Sequence, residues 1–170
     1  VLVRLETEEE RSTAFDCSDD DLNEFFFKDS RLANSELVAV TYAWIDDGAT
    51  LAYFSVSDDA VKRELLTGSA FKRITSRLDR GKRYSTLPAV KIGRLAVDKT
   101  AQASGLSTEI LDFIKYWFTN GNKTGCRFLV VDAYNSPRAV GFYQKNGFQF
   151  LLESDKTNKT RLMFFDLKAI

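Results

Sequence analysis

The sequence predicts a single mixed α/β (α+β) domain over residues 1–170, with helices flanking a central sheet, and three stretches carry that reading. Residues 37–45 (LVAVTYAWI) and 50–57 (TLAYFSVS) are β-rich runs around Asp46-Asp47-Gly48, the signature of a hairpin. Residues 87–148 then run strand, loop, helix, strand, helix. Finally, 148–153 and 160–167 read as a closing antiparallel pair. A chain of 170 residues is a natural size for one domain and buries enough surface for a real core. It has no internal repeat, linker or low-complexity segment.

Taken in order, the opening VLVRLET alternates apolar and polar side chains, as a half-buried strand does. Ser18 or one of the aspartates 19–21 then caps a helix whose apolar face carries Leu22, Phe25 and Phe26. Acidic residues in that first turn suit the positive end of the helix dipole. The stretch 59–85 reads as partly helical. Within 62–83, Lys62, Arg63, Lys72, Arg73, Arg77, Arg80, Lys82 and Arg83 face only Glu64 and Asp79, a local excess of about six positive charges. Such a run is either a solvated face or a surface for an anionic partner. Residues 87–97 (LPAVKIGRLAV) read as a strand with Gly93 as a bulge site. Across 102–119, Leu106, Ile110, Leu111, Ile114 and Phe118 recur at helical spacing. Residues 127–133 (RFLVVDA) are a buried strand, and Pro137 opens a short helix that ends near Asn146-Gly147.

Composition narrows the chemistry. There is no histidine, so His-based triads, His metal sites and His acid/base catalysis are excluded together. Lys plus Arg equals Asp plus Glu at 24 each, so any attraction to nucleic acid must come from a local patch. Cys17 and Cys126 lie far apart without metal-ligand spacing and read as reduced thiols. No apolar run is long enough for a membrane span and no signal peptide is visible, so the expectation is a cytoplasmic protein with no membrane partner and no metal.

The informative unit is Arg94-Leu95-Ala96-Val97-Asp98, Gln102-Ala103-Ser104-Gly105-Leu106-Ser107, Leu129-Val130-Val131-Asp132-Ala133 and Phe142-Tyr143-Gln144-Lys145-Asn146-Gly147-Phe148. A strand that feeds a helix start through small residues leaves unpaired backbone N–H groups at a positive dipole end, where a phosphate or pyrophosphate binds. With this spacing the sequence resembles the GNAT superfamily of acetyl-CoA-dependent N-acetyltransferases, well over residues 87–150 and loosely elsewhere. The family's pyrophosphate loop, Gln/Arg-x-x-Gly-x-Gly/Ala, is met at Gln102 and Gly105. Ser107 departs from its last position, and Ala103 stands where a further glycine is frequent. A serine forced to positive φ would cost about 1–2 kcal/mol.

The resemblance implies a mixed, mostly antiparallel twisted sheet with a splayed parallel pair, and acetyl-CoA as co-substrate. It places the cofactor on Leu95, Ala96 and Val97 through the main chain and on residues 102–107 through backbone amides. Asn135 falls beside the pantetheine or, on its own sequence context, is a turn residue before Pro137. Tyr143 is the candidate catalytic residue and a cofactor neighbour. A phenol near the thioester sulfur can protonate or hydrogen-bond the departing thiolate, help worth about 100- to 10,000-fold. Tyr143 reads otherwise as an aromatic core residue, as Phe142 and Phe148 do. No general base stands out: Asp98 reads as a strand-end residue and Asp132 as structural. Lys145 meets the cofactor's 3′-phosphate or is simply solvated.

The N-terminal half is similar to one branch, acetyltransferase toxins that modify the amino group of aminoacyl-tRNA. Phe15-Asp16-Cys17, Leu22-Asn23-Glu24-Phe25-Phe26, Thr41-Tyr42 and residues 87–98 carry that likeness. It implies tRNA as a partner of the basic 62–83 stretch, together with a cognate antitoxin. The first expectation remains an N-acetyltransferase acting on a small-molecule or macromolecular primary amine. The alternatives are the tRNA-directed toxin and an acyl-CoA-binding module without turnover. Dimerisation, common among such enzymes, is a further expectation.

Overall fold

A computed structural model describes residues 1–6, 14–80 and 83–170. In chain order its elements are β1 (Leu2–Leu5), α1 (Asp20–Glu24), α2 (Ser30–Ser35), β2 (Val40–Asp46), β3 (Ala49–Lys62), α3 (Gly68–Thr75), β4 (Thr86–Val97), α4 (Leu106–Thr119), β5 (Phe128–Tyr134), α5 (Pro137–Lys145), β6 (Gln149–Phe150) and β7 (Thr160–Asp166). The strands form one mixed, mostly antiparallel sheet, in the order β1-β2-β3-β4-β5-β7-β6, with one parallel pair. The neighbours β4 and β5 are joined by α4, the crossover that parallel strands require. The chain divides into two compact units, Val1–Ser57 with Ile92–Ile114 and Asp58–Lys91 with Lys115–Ile170.

In the first unit, β1 pairs with β2 from Leu2↔Trp44 to Leu5↔Thr41, and the anticipated hairpin joins β2 to β3. Its turn residues Asp47 and Gly48 have φ of 45° and 78°, the doubly positive geometry that matches the twist of paired strands. The strand begins at Val40 rather than residue 37, because Leu37 takes φ 58° at the end of α2. Asp19 is the cap of α1, its carboxylate accepting the Leu22 amide at 3.1 Å. A π-helical turn, Phe25–Asp29, carries the chain on into α2. The core here is aromatic: Phe15, Phe26 and Tyr53 are buried with Leu5, Cys17, Ala43 and Ala96. Ring centroids of Phe15 and Phe26 lie 4.7 Å apart, and those of Phe26 and Tyr53 5.0 Å. The buried Tyr53 hydroxyl donates to the Leu22 carbonyl at 2.7 Å, so its burial leaves no donor unmet. Gly93 sits within continuous β4, where an added Cβ would lie 3.1 Å from Ser55 Oγ; close approach explains the glycine.

The second unit has a core of Val61, Ile74, Leu87, Ala89, Val130 and Leu151, with two rings, Phe128 and Phe164. Each such side chain contributes about 1.5–3 kcal/mol on full burial. β5 and β7 pair from Phe128↔Asp166 to Tyr134↔Thr160. The final pair is shorter than the sequence pattern, since β6 covers only Gln149–Phe150. Among the ion pairs of this unit, Arg127 Nε meets Asp166 at 2.8 Å, and Arg161 Nε meets Asp155 at 2.7 Å with both side chains buried. Asp155 also accepts the Leu162 amide at 2.7 Å, and the Arg161 guanidinium lies 3.9 Å over the Phe150 ring. The basic stretch begins as the end of β3, continues through the 3₁₀ turn Arg63–Leu65 and includes α3, capped by Thr67. Lys82 lies outside the described residues.

Candidate active site

The helical spacing that reaches back to residue 102 becomes helix only at Leu106, and residues 98–105 form a loop ahead of it. Leu106, Ile110, Leu111 and Ile114 are buried and hold α4 in place by its apolar stripe. Ahead of it, Gln102, Ala103, Ser104 and Gly105 are exposed. Ala103 and Gly105 take positive φ, 62° and 90°, so the chain curls twice before the helix starts. Ser107 stands in the first turn of α4; the strain anticipated there falls instead on Ala103, which carries a Cβ at positive φ. Among the described residues, the N–H groups of Gln102, Ala103, Gly105 and Ser107 have no backbone acceptor, while that of Ser104 closes the turn before it. Amides at the start of a 14-residue helix are the kind of backbone groups to which anions bind.

Side chains of the loop hold the loop itself. Gln102 Nε2 donates to the Val97 carbonyl at 3.1 Å and to the Cys17 carbonyl at 3.0 Å. Ser104 Oγ donates to the Ala101 carbonyl at 2.6 Å. The Asp98 carboxylate is buried and accepts from the Thr100 hydroxyl at 2.6 Å, the Thr100 amide at 2.9 Å and the Asp16 amide at 2.9 Å. Burial alone would raise its pKa, but these hydrogen bonds outweigh it and hold the group below its ordinary value. Asp98 is thus an ionised staple and a poor general base. Leu95, Ala96 and Val97 precede the loop on β4; Ala96 is buried, and the Val97 carbonyl is the one that Gln102 bonds.

Asp16 and Asn23 belong to the same cluster. Asp16 Oδ1 accepts from the Ser18 amide at 2.8 Å and Asn23 Nδ2 at 2.9 Å, and Oδ2 accepts from Lys99 Nζ at 2.8 Å. The Lys99 ammonium, and then the Ser18 and Asn23 donors, hold Asp16 far below the usual carboxylate range. Neither residue had a role in the sequence reading, although Phe15-Asp16-Cys17 was itself a signal.

In the second unit, Pro137 opens α5, with Ser136 Oγ capping the Ala139 amide at 3.3 Å. Tyr143 on this helix is 9% exposed and packs edge-on against Phe142 at 5.1 Å and Phe148 at 5.3 Å. Its hydroxyl has no hydrogen-bond partner among the described residues, and burial pushes the phenol well above its ordinary value. Tyr143 is therefore neutral at pH 7 and able to donate, not to accept a proton as phenolate. Phe148 is buried and Phe142 half-buried. Asn135 Nδ2 donates to the Lys156 and Asn158 carbonyls, both at 2.9 Å, which ties the approach to β7; its exposed side chain retains the Oδ1 acceptor. Asp132 pairs with Lys91, and Lys145 is exposed. Burial pushes the Cys126 thiol up to about 11 and also raises that of Cys17, so neither is an activated nucleophile. Among the described residues no cluster of potential metal ligands forms. No helix among them is long and apolar enough to cross a membrane.

Leu95–Val97 and 102–107 thus lie in the first unit, and Asn135 and Tyr143 in the second. Residues 70–150 match the model of the family described as the acetyltransferase (GNAT) domain. This match and the fold make the chain similar to GNAT acetyltransferases. Its fold is shared with solved structures of toxins. The AtaTR complex bound with acetyl-CoA superposes with a TM-score of 0.78 at 21% identity, covering 99% of this chain and 94% of that one. AtaT complexed with acetyl-methionyl-tRNAfMet gives 0.77 at 22%, covering 99% and 95%. The KacTA–DNA complex gives 0.73 at 21%, covering 99% and 94%.

Proposed function

We propose that this enzyme transfers an acetyl group from acetyl-CoA to a primary amine. The observation that carries the proposal is the set of amides at Gln102, Ala103, Gly105 and Ser107 that have no backbone acceptor, at the positive end of α4. They fit a pyrophosphate, with Leu95–Val97 offering main-chain groups to the pantetheine arm. When bound, acetyl-CoA supplies the thioester. The amine nitrogen attacks its carbonyl carbon, the C–S bond breaks, and the sulfur leaves with the bond's electron pair. Tyr143 is assigned the donor to that sulfur. Its raised pKa, against about 8.5 for a thiol, favours a hydrogen bond to the developing charge over early proton loss. The amine's proton departs to solvent, because Asp98 is stapled and Asp132 is paired.

Calorimetric titration with acetyl-CoA tests the loop. Gly105→Val puts a β-branched residue at φ 90°, which costs about 1–3 kcal/mol and re-aims the amides. Affinity should fall at least about tenfold. Equal binding by the variant would remove the loop from the site. Cofactor binding without CoA release across a panel of amines would point instead to a binding module.

A second reading takes aminoacyl-tRNA as the acceptor, with an antitoxin as a further partner. It is favoured by the likeness to the AtaT fold over 99% of the chain and by Lys72 and Arg77, which are exposed at α3 and just beyond it. Arg73 is a weaker candidate, since its guanidinium donates to the Phe150 carbonyl at 2.9 Å. If Lys72 and Arg77 meet tRNA phosphates, changing both to alanine flattens the log–log salt dependence of tRNA affinity by roughly 0.7–0.9 per contact. Acetyl-CoA binding should be untouched. An unchanged slope makes α3 an ordinary solvated face.

A further inference from the structure

We propose that Asp16 is a positioning residue for acetyl-CoA, holding the pyrophosphate loop in its binding shape without touching the cofactor; this rests on the cofactor reading above. The loop needs outside support. Gln102–Gly105 are exposed, Ala103 is held at φ 62°, and the amides of Gln102, Ala103 and Gly105 have no backbone acceptor to hold them. An unsupported loop of this kind would relax out of the left-handed conformation at Ala103.

Support comes from residues 16–23 along two routes that start at Asp16. In the first, the Asp16 carboxylate holds Lys99 Nζ at 2.8 Å, the Asp16 carbonyl accepts the Lys99 amide at 2.8 Å, and the Asp16 amide donates to the Asp98 carboxylate at 2.9 Å. Three links therefore fix the two residues that open the loop. In the second, Asp16 Oδ1 orients Asn23 through Nδ2 at 2.9 Å, and Asn23 Oδ1 accepts the Cys17 amide at 3.0 Å. That sets the Cys17 peptide so that its carbonyl receives Gln102 Nε2, which also grips the Val97 carbonyl. One carboxylate thereby orients both ends of the segment 97–102. The strand that presents Val97 and the loop that presents the amides keep one spacing only while these links hold. Preorganisation of this kind acts on affinity, because the cost of ordering the loop is met before the ligand arrives.

Asp16→Asn keeps the size of the side chain and removes the charge that holds Lys99. It also sets an amide NH₂ against donors. The expected result is a rise of about tenfold in the acetyl-CoA dissociation constant and in KM for acetyl-CoA. At saturating cofactor, kcat should stay within about twofold of wild type, since Tyr143 is not involved. Backbone hydrogen exchange at Lys99, Thr100 and Ala101 should speed up with the melting temperature little changed. Lys99→Met, which cuts the same link from its other end, should give the same KM effect, and combining the two should add little. Asp16→Glu should restore part of the affinity. Wild-type affinity and wild-type loop exchange in both Asp16→Asn and Lys99→Met would overturn the proposal. Failure of the wild-type protein to bind acetyl-CoA would overturn the cofactor reading instead, and the exchange rates would still decide whether Asp16 holds the loop.

Discussion

At residues 98–107 the backbone is fixed by hydrogen bonds and the amides of Gln102, Ala103, Gly105 and Ser107 are left without a backbone acceptor, whereas at Tyr143 a ring is fixed by other rings and burial alone shifts its hydroxyl. The first arrangement is polar throughout: Asp98, Thr100, Gln102 and Ser104 all bond backbone or one another. The second is apolar, with Phe142 and Phe148 edge-on to the phenol. Under the proposed function, the difference follows from what each part presents. An anion is met by several main-chain donors, whose directions only hydrogen bonds can set. A thiolate leaving group is met by one donor on a rigid arm, and ring packing sets that arm without competing for its proton. In both places the group available to a ligand is the one the protein leaves unsatisfied.

Three changes test this contrast, beginning with the largest expected effect. Within the second unit, polar staples serve the fold alone, so Asp155→Ala leaves the buried Arg161 guanidinium without its carboxylate. It should cost about 3–5 kcal/mol in denaturant unfolding, well above the ordinary surface substitution. A loss under about 1 kcal/mol would mean that the pair is solvated in practice. Next, Tyr143→Phe keeps the ring packing and removes only the hydroxyl. Turnover should fall about 100-fold, close to 2.7 kcal/mol of transition-state stabilisation, with acetyl-CoA affinity and melting temperature nearly unchanged. A large loss of stability would show instead that the hydroxyl satisfies a buried partner. The smallest effect is at Ala103, the non-glycine residue at φ 62° in the loop. Ala103→Gly relieves that strain and should stabilise the protein by roughly 0.5–1 kcal/mol, raising the melting temperature by about 1–4 °C. No gain would mean that the looser unfolded chain offsets the relief.

Much of the fold is legible in local sequence. The Asp47-Gly48 turn, Pro137 at the head of α5 and the stripe of Leu106, Ile110, Leu111 and Ile114 each declare an element through neighbours a few residues away. Element ends were less legible. Apolar spacing runs back past Leu106, but positive φ at Ala103 and Gly105 stops the helix there. The final strand pair is shorter than its alternating pattern because β6 pairs through Gln149–Phe150 alone. For the candidate site, spacing and small residues point to the loop and Tyr143 as the residues to test. The state of each group is not legible there: that Gln102 bonds two carbonyls 85 and 5 residues away, or that Tyr143 has no partner, depends on what the fold brings near.

The sequence by itself determined the class of fold, the absence of histidine chemistry, and the strand–loop–helix of β4 and α4, because those follow from periodicity, composition and local backbone preference. Tertiary structure decided which polar groups are engaged and which remain available. Asp98 is a buried staple, Asp132 is paired with Lys91, and Asp16 meets Lys99 across 83 residues of chain. Hydrogen bonds and charge pairs act over about 3 Å in space and are indifferent to separation along the sequence, so only the folded chain can assign them.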